Sequence, residues 1–389
     1  MPQNPSLRLR EVPIKWFILF ECANPNAGVG LIREFLRMQT TNWPALVELA
    51  DEQGMLPLVT ARLGELAERL VPAKIKTKLT EAARAQTLFT LSMTAELFRI
   101  LDRFHGSNIE VLLTKGPVLS QRCYGDPGLR QFTDLDLIVC HRDIAQAAEL
   151  MLALGYDSKI PLKTIQAKKS PGEYVFTKRG TNLLVEFHTE RTFRYHPRPL
   201  SVDKLFQQST RVNFDGQDVP ALGIEDELIL ICIHGAKHFW DRLMWIADVA
   251  ALVSRQQVDW NRAMEIAREV QAERMLRIGL VLAMNVAGAN LPAPIASRIR
   301  ADAAAVKIAE QIRQRLTAVK PTPLSLPRRA AFRVKMRGGL LTGVAYLLRL
   351  SLSPTEEDWQ AGSERSRSGT FDAIGRPFRL ARKYGRHQR

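Results

Sequence analysis

The chain has 389 residues, 46% of them hydrophobic, enough to bury a substantial core in two folded units with extensions. Its four cysteines, Cys22, Cys123, Cys140 and Cys232, lie far apart with no C-x-x-C pair, which argues against a zinc site or disulfide framework and fits a reducing cytoplasm. The net charge of +15 is uneven: Lys320 to Arg389 holds 15 Lys/Arg against 5 Asp/Glu, about +10 in the last fifth.

In chain order, residues 1–105 read as a helical region. The apolar run Ile14 to Cys22 is about half a membrane span, carries Lys15 and Glu21, and lacks a small-residue cleavage site, so it is neither a spanning segment nor a signal peptide. Asn42 precedes Trp43-Pro44 and an apolar helical pattern, the signature of a capped helix start. Lys78 to Phe104 has long amphipathic periodicity without Pro or Gly. Residues 106–200 are rich in strands, predicted at Ile109–Leu113, Leu135–Val139, Gly172–Thr177 and Leu183–His188. Between them, Asp143 to Leu154 reads as a helix stopped by Gly155. The alternation predicts an α+β fold: a small mixed sheet flanked by N-terminal and C-terminal helical regions.

Residues 201–319 return to helix, with a long run from Leu228 to Val253 and a break at Asn290-Leu291-Pro292-Ala293-Pro294. Lys320-Pro321-Thr322-Pro323 reads as a linker, and residues 320–389 as a basic extension with one amphipathic stretch, Arg328 to Leu352, interrupted at Gly338-Gly339. A second apolar stretch, Gly338 to Leu352, contains Arg349 and is too short to span a membrane. A basic tail suits an anionic membrane surface or a protein contact, or is simply a solvated extension. Its aromatics are not interleaved with its charges, so nucleic acid ranks lower. The expected setting is cytoplasmic, at most peripheral to the membrane.

The chemistry concentrates in Thr114-Lys115-Gly116 and in Thr133-Asp134-Leu135-Asp136-Leu137-Ile138-Val139. On a strand, Asp134 and Asp136 project from one face while Leu135 and Leu137 project from the other. Paired carboxylates on one face suit one or two hard divalent cations, which share their shell with substrate phosphates. Ile109 to Leu113 runs as a strand into Lys115-Gly116, where glycine lets backbone N–H groups approach a phosphate and Pro117 opens a helix. Asn182 to His188 is another strand that puts Glu186 and His188 on a common face, adding a third carboxylate.

Lys115-Gly116, Tyr124-Gly125-Asp126-Pro127-Gly128-Leu129-Arg130, Thr133 to Val139, Gly155-Tyr156 and Val185-Glu186-Phe187-His188 resemble the uncharacterised nucleotidyltransferase family of bacteria, within the polymerase-β-like nucleotidyltransferase superfamily. The resemblance continues through Leu230 to His238 and Arg242 to Asp248, and more faintly at Ser353 to Trp359 and Arg376 to Leu380. It implies an NTP held by its phosphates and a two-metal mechanism, with a pair of Mg²⁺ ions (Mn²⁺ as the alternative) held by Asp134, Asp136 and Glu186. A hydroxyl acceptor (a small molecule, glycan precursor, peptide or protein) would attack the α-phosphorus and pyrophosphate would leave. The sequence departs from the superfamily pattern twice: Lys115-Gly116 replaces the usual Gly-Ser or Gly-Gly, and Glu186 stands where Asp is commoner. A catalytically silent nucleotide-binding or scaffold protein is the competing reading.

A second group, His234, Lys237, His238, Asp241, Trp245 and Asp248, falls at spacings of three and four, as on one helix face. Two histidines at i, i+4 suggest zinc, but the metalloprotease glutamate is missing and Lys237 between them repels a cation. His234, Lys237 and His238 are therefore candidates to face phosphates across a cleft, against a packing face with an Asp248–Arg242 ion pair. Arg130 either neutralises phosphate or pairs with a carboxylate. Lys115 is either a phosphate ligand or a partner of the acidic cluster. His188 either orients Glu186 or acts as a base.

Overall fold

The computed structural model describes residues 13–66, 70–167, 173–181, 183–189, 201–318 and 324–352. Its centre is a seven-stranded mixed sheet of β1 (Val111–Thr114), β2 (Asp134–Val139), β3 (Tyr156–Ser158), β4 (Glu173–Lys178), β5 (Leu184–His188), β6 (Thr210–Phe214) and β7 (Gln217–Ala221). The spatial order is β3-β4-β5-β2-β1-β7-β6. β2 runs antiparallel to β1 and parallel to β5, and β1 runs parallel to β7. Helices cover both faces, which gives the predicted α+β architecture.

Strand alternation sorts the side chains into two cores. Leu113, Leu135, Leu137, Val139, Val185 and Phe187 pack on Met93, Leu97, Ile100 and Phe104 of the helix Ala73–His105 and on Ile144, Ala147, Ala148 and Met151 of the helix Ile144–Ala153. Leu112 and Ile138 belong to the opposite core, which contains most of the remaining helices. Asp134, Asp136, Glu186 and His188 share that second face with Ile138, at its polar end.

Several predicted elements form as the sequence dictates. The Asn42 side chain accepts from the Ala45 backbone N–H at 3.2 Å and starts the helix Trp43–Glu52. Ile14–Ala23 is a helix with Trp16, Phe17, Ile18 and Leu19 buried, so its apolarity belongs to the core. The interruption at Gly338-Gly339 separates the helices Leu326–Met336 and Leu340–Leu352. All four cysteines are free and buried. Among the described residues no helix is long and apolar enough to cross a membrane. The expected linker at residues 320–323, the motifs at Ser353 to Trp359 and Arg376 to Leu380, and most of the basic extension lie outside the described residues.

Two expectations require correction. Residues beyond 200 do not stay helical: after the short helix Val202–Gln207, β6 and β7 form a hairpin that completes the sheet. Its turn is Asp215-Gly216, with φ of 51° and 78°, the left-handed pair of a type I′ turn that matches strand twist. The run Leu228 to Val253 is also not one helix. It divides into Ile224–Lys237 and Leu243–Arg255, because Phe239 (φ 60°) and Trp240 (φ 55°) turn the backbone out of helical geometry. Burying Trp240 completely against Gly235 and Gly279 favours that turn.

Candidate functional site

The site begins where β1 ends. Lys115 adopts φ 53°, ψ −145°, a conformation costly to any residue with a Cβ. Gly116 follows with φ 50°, and a Cβ placed there would meet the Asp134 carbonyl oxygen only at 3.6 Å. Glycine is thus required for conformation rather than for space. The kink starts the helix Gly116–Tyr124, with Pro117 in its first turn, and brings Lys115 back across the end of β2. Its Nζ donates to Asp136 Oδ1 at 3.2 Å.

The carboxylates meet through strand register. Asp136 is directly opposite Glu186 in the parallel β2–β5 pair, and Asp134 is opposite Leu184. His188, two residues beyond Glu186, puts Nε2 2.6 Å from Asp136 Oδ1 and 3.9 Å from Glu186 Oε2. Its closer partner is therefore Asp136, not the Glu186 it was expected to orient. Ligand atoms of Asp136, Glu186 and His188 all lie within 4.8 Å of one another. Across β1, Thr114 pairs with Asp136 in register, and its buried hydroxyl has no hydrogen-bond partner among the described residues.

Charge is distributed unequally over this cluster. Burial opposes ionisation of Asp136, but Lys115 and His188 overcome it and hold the carboxyl well below the usual carboxylate range. Glu186 has no comparable partner, and burial followed by repulsion from Asp136 pushes its carboxyl up to about 7. Asp134 is raised for the same two reasons. Lys115 and His188 are both raised, since their attraction to Asp136 outweighs burial. The donor set is two or three carboxylates and one imidazole, in a place where negative charges crowd. That set fits Mg²⁺ or Mn²⁺.

The helix Ile224–Lys237 forms the facing wall. The rings of His234 and His238 have centroids 4.6 Å apart, and Trp245 closes a three-ring cluster at 5.3 and 5.4 Å from them. Burial, then Lys115, pushes His234 well below the ordinary histidine value, while burial, Lys237 and Lys115 bring His238 to about 4. Both rings are thus neutral near pH 7, and both sense the Lys115 charge. Lys237 lines a small cavity with Met275, Arg333, Met336 and Arg337.

Arg130 is buried and donates through Nε to Asp248 Oδ2 at 2.9 Å, while the Tyr124 hydroxyl donates to Asp248 Oδ1 at 2.9 Å. The cationic partner of Asp248 is therefore Arg130 rather than Arg242. Arg122 makes a second buried ion pair, with Glu227. Sequence reasoning did not single out Tyr124, Arg122 or Glu227. Tyr124 enters only as part of the Tyr124 to Arg130 motif and Glu227 only as an acidic residue before a long apolar helix, where an acidic first turn reads as ordinary helix capping.

The model of the family described as uncharacterised nucleotidyltransferase matches residues 39–288, which spans β1 to β7 and both helices of the facing wall. The crystal structure of an antigenic nucleotidyltransferase-like protein from Paracoccidioides brasiliensis is 15% identical, with a TM-score of 0.31 over 53% of this chain and 94% of that chain. No curated protein matches the chain.

Proposed function

Because the chain belongs to the uncharacterised nucleotidyltransferase family, we propose that it transfers a nucleoside monophosphate from an NTP to a hydroxyl acceptor and releases pyrophosphate. The observation that carries this reading is the register of β2 and β5, which sets Asp136 opposite Glu186 with Asp134 two residues earlier on the same face. Asp134, Asp136 and Glu186 would hold Mg²⁺ or Mn²⁺, and His188 fixes the Asp136 carboxylate. The bound metal would neutralise the phosphates and acidify the attacking hydroxyl.

The protein's own groups do the rest by positioning and electrostatics. Lys115 and the N-terminus of the helix Gly116–Tyr124 bind phosphate oxygens. Neutral His234 and His238 offer ring N–H groups from the facing wall without adding charge. Glu186, besides ligating the metal, helps to deprotonate the acceptor hydroxyl. Arg130 acts through Asp248 and Tyr124, by holding the far end of the phosphate-binding helix. The free buried thiols suit a reducing, cytoplasmic setting.

The test is incubation of the protein with each α-³²P-labelled NTP and Mg²⁺ or Mn²⁺, beside the Asp134→Ala/Asp136→Ala variant. Label appearing on an acceptor or on the protein, with pyrophosphate released by wild type alone, supports nucleotidyl transfer. Equal pyrophosphate release by the double variant would overturn the assignment of the carboxylates.

A further inference from the structure

The carboxylate cluster already holds a cation that belongs to the chain. The Lys115 side chain is 20% exposed and its Nζ sits 3.2 Å from Asp136 Oδ1, the same oxygen that His188 approaches at 2.6 Å. Asp134 and Glu186 also face this ammonium closely enough to stabilise its charge. The contact is built into the backbone. Lys115 holds φ 53°, ψ −145°, where a glycine would be free of strain, and Gly116 takes a second positive φ of 50°. A cationic side chain in a conformation that favours glycine needs a compensating gain, and the Asp136 contact supplies it.

We propose that Lys115 is a tethered counter-cation, which competes with divalent ions for Asp136 and makes metal binding dependent on nucleotide. This rests on the metal-binding reading of Asp134, Asp136 and Glu186 given above. A dication arriving at Asp136 meets an ammonium on one of its two oxygens, and the two cations repel within a poorly solvated pocket. The lysine stem is flexible and its charge compact, so it can swing where a planar guanidinium would be held. The phosphates of an NTP supply the alternative partner. As they arrive, Lys115 leaves Asp136 for a phosphate oxygen, and the carboxylate becomes available to the ion that the nucleotide brings. Bare protein then binds divalent ions weakly, and metal and NTP bind with positive coupling, each raising the affinity for the other. The return of Lys115 to Asp136 once the phosphates leave would keep that carboxylate neutralised between turnovers.

The experiment is a Mn²⁺ titration followed by the EPR signal of free Mn²⁺, with and without a non-hydrolysable NTP analogue. It uses the full-length wild type, Lys115→Gln, Lys115→Arg and Asp136→Asn. Without nucleotide, Lys115→Gln is expected to bind Mn²⁺ about tenfold tighter or more than wild type, while Lys115→Arg stays as weak as wild type. The analogue should tighten Mn²⁺ binding by wild type and have a much smaller effect on Lys115→Gln. Thermal melting checks the fold, and Mn²⁺ should raise the melting temperature of Lys115→Gln more than that of wild type. If Lys115→Gln binds nucleotide-free Mn²⁺ no better than wild type while Asp136→Asn loses binding, the counter-cation role is overturned and the metal site stands. If no variant and no condition binds Mn²⁺, the metal-binding reading fails and this inference fails with it.

Discussion

Asp136 and Glu186 lie opposite each other across two strands, yet one is held ionised and the other resists ionisation. The difference lies in their partners. Lys115 and His188 both contact Asp136, whereas among the described residues Glu186 has the longer 3.9 Å approach of His188 to offset burial and repulsion. Replacing Asp136 by Asn keeps the volume and removes the charge that organises all three neighbours. Turnover should fall by about 10²–10³-fold or more, with circular dichroism unchanged; near-normal turnover in the assay of pyrophosphate release would refute the assignment. At this scale much was legible in advance, because a strand period of two puts Asp134 with Asp136 and Glu186 with His188 whatever the surrounding fold. The pairing of His188 with Asp136 was not legible. It depends on strand register between segments 50 residues apart, and no local pattern encodes that.

The helix Ile224–Lys237 shows how an element can be shaped by demands that conflict with its own propensity. Gly235 lies inside it, where alanine would favour helix by about 1 kcal/mol. A Cβ there would sit 2.6 Å from the Trp240 ring, however, and Trp240 is fully buried. Overpacking costs about 1–3 kcal/mol, so Gly235→Ala should lower stability in urea unfolding, and a stabilised variant would show that the indole can move. The N-terminal turn of the same helix carries a second conflict. Asp226 is 4% exposed, and burial pushes its carboxyl up to about 6 from 3.8. The folded state therefore binds the proton more tightly than the unfolded chain, and the contribution of Asp226 to stability declines as pH rises from about 4 through 6. Asp226→Asn should match wild type near pH 4 and exceed it at pH 7.5. The pKa difference sets a ceiling of about 3 kcal/mol, reduced by up to about 1 kcal/mol for the lost charge at a helix N-terminus. Melting curves at the two pH values decide it, and a gain that does not depend on pH would remove ionisation as the cause. Helix boundaries here were only partly legible. The acidic turn and the apolar run announce the start, but the stop at residues 238–242 comes from Trp240 seeking its place between Gly235 and Gly279, a tertiary cause. The hairpin at Asp215-Gly216 is the opposite case, since a strong local turn signal was present but its two strands, Thr210–Phe214 and Gln217–Ala221, are short and rich in exposed residues, with little apolar alternation to announce them.

Over the whole molecule, the sheet and the helical core are joined by two buried ion pairs that radiate from one short helix. Arg122 reaches Glu227 on the facing wall, and Arg130, just past the end of that helix, reaches Asp248, which also accepts from Tyr124. The helix Gly116–Tyr124 carries Lys115 and Gly116 at its other end, so these pairs fix how the Lys115-Gly116 turn sits relative to His234 and His238. Such pairs contribute little net stability against an apolar alternative, because desolvation offsets attraction, but removing one partner leaves a buried charge and costs about 3–5 kcal/mol. Burial raises the Glu227 carboxyl and Arg122 opposes that rise, so loss of Arg122 should turn Glu227 into an unpaired buried acid. Arg122→Met is therefore expected to be destabilised by several kcal/mol, and Arg122→Met/Glu227→Leu by much less than the sum of the single changes. A double-mutant cycle in chemical denaturation measures the coupling directly. Strong coupling in stability, with the double variant folded but poorer in NTP affinity, would mean that the pair orients the Lys115-Gly116 turn proposed to bind phosphate. If the double variant bound NTP as wild type does, helix packing alone would set that orientation and the ion pair would have no part in it.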